Sequence, residues 1–389
     1  MPVMKFKRFN KPQVLKQIGR QLLAQFFERF KADFELKALA LPPPELPDNA
    51  YFPALARLLM SPEGLPDRLN EALFAIDEMA SPRGQEMLKI AAAGAGQPLS
   101  IRPESSCEDI ALQVWLAAPG LLARTHNAQR LRRLTAFQYA GCKLPKIRRL
   151  VFSPPTPVTL EALAVGLDNW FDRNHRGQLT TRIEVYPLDG EYWFLVRHGD
   201  SFTRAPKVEQ QETQIIHFRP ERDDVIVYCP EQDEIRINAR TKGERDLYIE
   251  QFALHLFGQA DYFSERDTHT LEPLRQEGIE SLDAADVEGI HKIVLRELEI
   301  AVDNNGRREV ITRTADDIFG GAGSATNLEP VPQGGTLARA IFDLQFADSD
   351  KPRPVEVRPP NIVKFGRRCD AQLVQRWLFR RGFRIRVEG

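Results

Sequence analysis

The sequence is poor in cysteine, in long apolar runs and in net charge, and each shortage removes a class of protein. Four cysteines in 389 residues, Cys107, Cys142, Cys229 and Cys369, stand far apart, with no CxxC pair and no matching His spacing. That excludes a zinc-finger framework or a disulfide scaffold and predicts reduced, mostly buried thiols. The longest apolar stretch, Ile110 to Ala123, is interrupted by Gln113 and Pro119 and falls short of the roughly twenty residues that span a bilayer. No membrane span is expected. The formal net charge is −1, so no overall field commits the chain to a polyanion. The basic stretch from Lys5 to Arg20 is broken by Asn10, Gln13 and Gln17, which argues against a secretory signal. A mitochondrial presequence is the alternative, and a cytoplasmic location is the expectation.

What is present is enough for a buried core. The chain is 42% apolar and 28% charged, a globular composition, and its length suggests two or three domains. Two proline clusters, Leu41 to Pro47 and Ser153 to Pro157, predict extended connectors, because proline fixes φ and biases the preceding residue away from helix. Before the second cluster the apolar spacing is helical. Val14, Ile18, Leu22, Phe26 and Phe30 follow at steps of four behind Asn10 and Pro12, and further helical patterns cover 69–79, 109–122 and 127–140.

After the cluster, a helix led by Thr159 is followed by alternating runs at 182–186 and 192–196 around Asp189-Gly190, a two-residue hairpin signal. Strands at 214–218, 224–228 and 234–238 and a helix over 243–257 complete that block. Later strands are expected over 298–302, returning through Asn304-Asn305-Gly306 to 310–312, and over 340–346, 354–358 and 383–387. Residues 320–335 read as a mobile loop. The expected fold class is therefore α+β and multidomain: a helical bundle over 1–152, an antiparallel α+β domain over 158–258, and a C-terminal α+β module over 259–389. The order strand, helix, basic strand at its end suggests a winged-helix-like close.

Enzyme signatures are few. No Walker A, Rossmann, HExxH or GxSxG pattern occurs, and no cofactor or metal is implied. The pair Glu297 and Glu299 shares one strand face, without an evident third ligand. The sharpest short match is Leu195-Val196-Arg197-His198-Gly199-Asp200-Ser201. These seven residues resemble the RHG signature of the histidine phosphatase and phosphoglycerate mutase superfamily. The resemblance implies a parallel sheet, a phosphoryl-accepting histidine at His198 and an oxygen-binding arginine at Arg197. Here the motif ends the second strand of a hairpin and no second histidine has the family's context, so the expectation is that His198 does not accept a phosphoryl group.

The broader signal is charge segregation. Residues 121–150 carry Arg124, Arg130, Arg132, Arg133, Lys143, Lys146, Arg148 and Arg149 and no acid. On a helical wheel Arg130, Arg133 and Phe137 share a stripe, which would flank an exposed ring with cations. Residues 333–389 hold twelve bases against six acids, including Arg376, Arg380, Arg381, Arg384 and Arg386, whereas 259–305 hold twelve acids against four bases. Either these surfaces neutralise one another or they recognise a phosphate backbone.

The leading expectation is a non-enzymatic protein that associates with nucleic acid, DNA or RNA, through these basic clusters. A regulator or a genome-defence component would have such a layout. The alternatives are a protein-interaction scaffold, with protein partners at the basic and acidic segments, and a phosphoryl-transfer or hydrolytic enzyme centred on Arg197 and His198.

Overall fold

The structure is a computed structural model that describes residues 8–60, 64–101, 105–132, 134, 136–144, 146–209, 211–265, 268–304, 307–320, 329–366 and 370–385. It is mixed helix and sheet, as the α+β expectation required, and the chain divides into two compact units after Arg132.

The first unit is helical: α1 (Pro12–Ile18), α2 (Arg20–Glu28), α3 (Lys31–Leu36), α4 (Asp48–Leu59), α5 (Asp67–Met79), α6 (Pro82–Gly94), α7 (Cys107–Ala117) and α8 (Pro119–Leu131). The long N-terminal stripe is buried as expected, with Ile18, Phe26 and Phe30 in the core. It is not one helix, however. Gly19 breaks it with φ 87° and ψ 152°, a conformation open to glycine and costly for other residues. The 109–122 pattern is likewise split at Pro119, which takes the first position of α8. The core of this unit is aromatic, with Phe26, Phe30 and Trp115 in edge and stacked contact.

The second unit contains β1 (Ala136–Cys142), α9 (Pro157–Arg173), β2 (Arg182–Leu188), β3 (Glu191–Gly199), β4 (Thr203–Glu209), β5 (Glu212–Phe218), β6 (Glu221–Cys229), β7 (Glu234–Asn238) and α10 (Lys242–Phe257). It continues through β8 (Phe263–Glu265), α11 (Pro273–Gln276), β9 (Ile290–Asn304), β10 (Arg307–Thr314), β11 (Thr336–Phe346), β12 (Arg353–Arg358), β13 (Ile362–Phe365) and α12 (Ala371–Arg380). An antiparallel sheet runs in the order β10-β9-β11-β12-β13-β1-β7-β6-β3-β2, with β8 on β1, while β4 and β5 form a separate ribbon. Leu163, Leu167 and Phe171 of α9 and Tyr248 and Phe252 of α10 pack with Phe194, Val196, Ile226 and Ile237 of the strands.

Two expectations need correction. Residues 127–140 do not continue a helix: α8 stops at Leu131 and Ala136–Cys142 is a strand, so 1–152 is not uniformly helical. The reason is tertiary, since β1 is paired on both sides by β13 and β7 and its alternating side chains Phe137 and Tyr139 are buried. Residues 158–258 and 259–389 also belong to one unit, because β1 joins β7 of the first block to β13 of the second through unbroken ladders. Of the expected closing strand over 383–387, Arg384 makes a single bridge to His269, and residues 386–389 lie outside the described ones. The helix expected from Thr159 begins at Pro157, with Thr156 as its cap. The turn at Asn305-Gly306 and most of the loop at 320–335 lie outside the described residues, although β9 and β10 pair as the hairpin required.

Candidate nucleic-acid interface and the buried His198 junction

Alternation along β3 decides what the Arg197-His198 pair can do. Neighbouring side chains in a strand point to opposite faces. Arg197 meets Asp223 (Nε to Oδ1 3.0 Å) and Glu184 (Nη1 to Oε1 3.4 Å). His198 turns to the helical side and lies flat on Phe171, ring centroids 4.1 Å apart and planes 10° apart. The two residues of the phosphatase-like segment therefore do not converge on one pocket.

His198 is 1% exposed, and both its ring nitrogens face oxygens: Nδ1 lies 2.8 Å from the Gly199 carbonyl and Nε2 3.1 Å from Asp224 Oδ2. Tyr248 donates its hydroxyl to the same carboxylate oxygen at 2.9 Å, and Arg222 Nε donates to Oδ1 at 3.2 Å. Burial, reinforced by the Asp224 charge, holds the Tyr248 phenol well above its ordinary value. Glu244 enters from the first turn of α10, where it closes a capping box with Thr241. Its Oε1 lies 3.1 Å from Arg176 Nη2, and Arg176 Nη1 donates to Asp200 Oδ1 at 2.7 Å. Burial alone would raise the Asp200 carboxyl. The Ser201 amide and the guanidiniums of Arg176, Arg222 and Arg240 outweigh it and hold the group below the usual range.

Ligand atoms of His198, Asp224 and Glu244 lie within 4.8 Å of one another, a spacing that could hold a metal ion. The chemistry around them fits a cation poorly. Arg222 and Arg176 already sit against Asp224 and Glu244, so a divalent ion would be placed beside two guanidiniums, and Tyr248 occupies the Asp224 oxygen nearest His198. Asp200, Asp224 and Glu244 are each faced by a guanidinium of Arg176 or Arg222, although Glu244 Oε1 accepts no hydrogen bond among the described residues, and the junction ties β3 and β6 to α10 and to the segment after α9. Gly199 is part of it: a Cβ there would lie 2.4 Å from the Arg176 carbonyl oxygen. The glycine of the signature thus serves close packing.

The carboxylate pair Glu297 and Glu299 is similarly engaged. Both accept from Arg339, which also faces Glu356 at 3.4 Å, and Lys364 Nζ donates to Glu356 at 3.0 Å.

The expected basic residues separate into three groups. Arg130 and Arg132 are exposed at the end of α8, and Arg133 lies outside the described residues. Phe137 is not beside them on a helix. It is 4% exposed in β1, packed edge-on to Trp193 and under the Arg236 guanidinium, so the exposed ring expected there is absent. The reason is the strand, which turns Phe137 into the core.

The second group is the segment after β1. Lys143 and Arg148 are exposed, and neither has an acidic partner among the described residues. Lys146 opens a short 3-10 turn ending at Arg148, with Ile147 93% exposed in it. Arg149 is partly buried, its Nε 3.7 Å from Asp233 Oδ2. Asp233 accepts from Tyr228 at 3.0 Å and Tyr262 at 2.6 Å, and the Leu150 amide donates to Tyr262 Oη at 3.2 Å. The Lys143 amide donates to the Tyr262 carbonyl at 2.9 Å. The segment is thus pinned at Lys143 and at Leu150, with Arg148 exposed between the two anchors.

The third group turns largely inward on the chain's own acids. Arg381 donates to Asp283 at 3.0 Å and to Asp286 at 2.5 Å, Arg380 pairs with Asp286 at 3.1 Å, and Arg384 pairs with Glu234 and lies over the Tyr139 ring. Arg376 alone of the described members is exposed without an acidic partner, and Arg386 lies outside the described residues. The acidic 259–305 segment and the basic end therefore neutralise each other at Asp283 and Asp286.

Sequence reasoning did not single out Asp224, Glu244, Tyr248, Arg222 or Asp233. Only Thr241-Lys242-Gly243-Glu244 carried a readable signal, the S/T-x-x-E capping pattern. No protein-family model matches the chain, and no curated protein matches it.

Proposed function

We propose that this chain is a non-enzymatic protein that associates with nucleic acid by neutralising its phosphate backbone, with the anchored loop 143–149 as the contact surface. The observation that carries the reading is the pinned loop with Lys143 and Arg148 exposed and without an acidic partner among the described residues. A backbone held at both ends loses little freedom on meeting a phosphate, which favours binding. Arg376 and the α8 cations Arg130 and Arg132 are secondary candidates. Backbone contact without base readout would make the binding indifferent to duplex sequence.

The test is fluorescence anisotropy with a labelled random duplex at low salt, comparing wild type with the double variant Lys143→Glu, Arg148→Glu. The expected result is a loss of affinity of about tenfold or more, equal across duplex sequences. Unchanged affinity would remove the loop from the interface.

A second reading is favoured by Ile147 and Val151, which are 93% and 91% exposed. Large apolar side chains beside exposed cations also suit a protein partner, which would make the loop a scaffold contact. In that case the double variant binds duplex like wild type, while Ile147→Asp blocks assembly.

A further inference from the structure

The ribbon β4–β5 is paired only with itself and is largely exposed on both faces. At its root Phe202 is 64% exposed, an expensive place for a large aromatic ring. The ring is ordered by its neighbours. His217 lies parallel to it, planes 10° apart and centroids 6.2 Å apart, and the Arg219 guanidinium carbon is 6.0 Å from its centroid. Arg219 is held there by donating to the carbonyls of His175 at 2.8 Å and Asp200 at 2.6 Å. Arg204 stands opposite His217 in the ribbon register.

The charge around these rings is unbalanced. Arg204 and Arg219 have no acidic partner among the described residues. The nearby Asp200 carboxylate is already engaged by Arg176 at 2.7 Å.

We infer that Phe202 and His217 form a stacking platform for an unpaired nucleobase, with Arg204 and Arg219 placed to meet the flanking phosphates. The inference rests on the nucleic-acid reading above and deepens it, because a base inside a duplex has no free face to offer. Base-on-aromatic stacking beside arginines is the common physical means of holding single strands without reading their sequence. A peptide partner could use the same rings, but only one that also bore acidic groups would answer the two guanidiniums, which have no acidic partner among the described residues.

The experiment measures anisotropy of a labelled oligo(dT) twelve-mer and of a matched abasic twelve-mer against the full chain. Wild type should prefer the base-bearing strand by about tenfold. Phe202→Ala should lose that preference while keeping the abasic affinity, and Phe202→Trp should retain it. Because Phe202 is largely exposed, both variants should fold, which matching thermal midpoints would verify. The Lys143→Glu, Arg148→Glu variant should weaken both strands alike. Equal wild-type affinity for the two strands, or a preference that survives in Phe202→Ala, overturns the platform and leaves backbone binding standing. No binding of either strand overturns the platform alone if the labelled random duplex still binds, and overturns both readings if it does not.

Discussion

His269 shows how one buried side chain sets a dependence on pH. It is 1% exposed, and burial first, then the neighbouring Arg384 charge, pushes its pKa down to about 3 from 6.5. The folded chain therefore keeps this imidazole neutral where the unfolded chain takes up a proton. Its contribution is fully present above the unfolded value and is lost as pH falls below about 6.5. By pH 5 the loss from this one group should be about 2 kcal/mol. His269→Phe keeps a ring against Tyr139 and removes the titration, so the urea midpoint of that variant should fall less between neutral pH and pH 5 than that of wild type. Equal falls would contradict the assignment.

His198 makes a different demand, since its Nε2 faces the buried Asp224 carboxylate and its ring lies flat on Phe171. His198→Ala leaves Asp224 short of a partner in a buried site and opens space beside Phe171, which should cost about 3–5 kcal/mol in chemical denaturation. Dialysis against a chelator should leave the thermal midpoint unchanged, because arginines and Tyr248 fill the positions around the carboxylates. A midpoint drop of several degrees on chelation would instead establish a structural metal among His198, Asp224 and Glu244.

At the scale of elements, what could be read in the sequence was governed by local pattern. The Asp189-Gly190 hairpin was legible because Asp189 and Gly190 both take positive φ, the requirement that selects such pairs. The N-terminal stripe was legible as a buried face but not as separate helices α1 and α2, since periodicity reports the face and Gly19 sets the break. β1 was not legible. Its residues follow a helical pattern, and pairing with β13 and β7, hundreds of positions away in part, overrides it.

The same limit applied to the sites. Lys143 and Arg148 were visible as a run of cations, whereas Phe137 was assigned to the wrong element and the His198 partners come from segments separated in sequence. The loop 143–149 owes its shape to Asp233 and its tyrosines. Tyr262→Phe removes the donor to Asp233 and the acceptor for the Leu150 amide, and should cost about 1–3 kcal/mol. Amide exchange at Leu150 should accelerate with it. Unchanged protection there would show that the loop is held by other contacts.

At the scale of the whole molecule, a net charge of −1 conceals local imbalance. The structure resolves part of it internally, where Arg380 and Arg381 meet Asp283 and Asp286. Lys143, Arg148 and, beside Phe202, Arg204 are exposed and have no acidic partner among the described residues. Among the described residues no helix is long and apolar enough to cross a membrane.

The central claim is that the loop cations release counterions from a phosphate backbone, and the salt dependence of duplex affinity measures that release directly. Each phosphate contact contributes a slope of about −0.9 in log K against log salt on duplex DNA. Reversing Lys143 and Arg148 together should make the slope shallower by about 1.8, with the two affinities converging as salt rises. Identical slopes for wild type and the double variant, or no binding by wild type at low salt, would contradict the account.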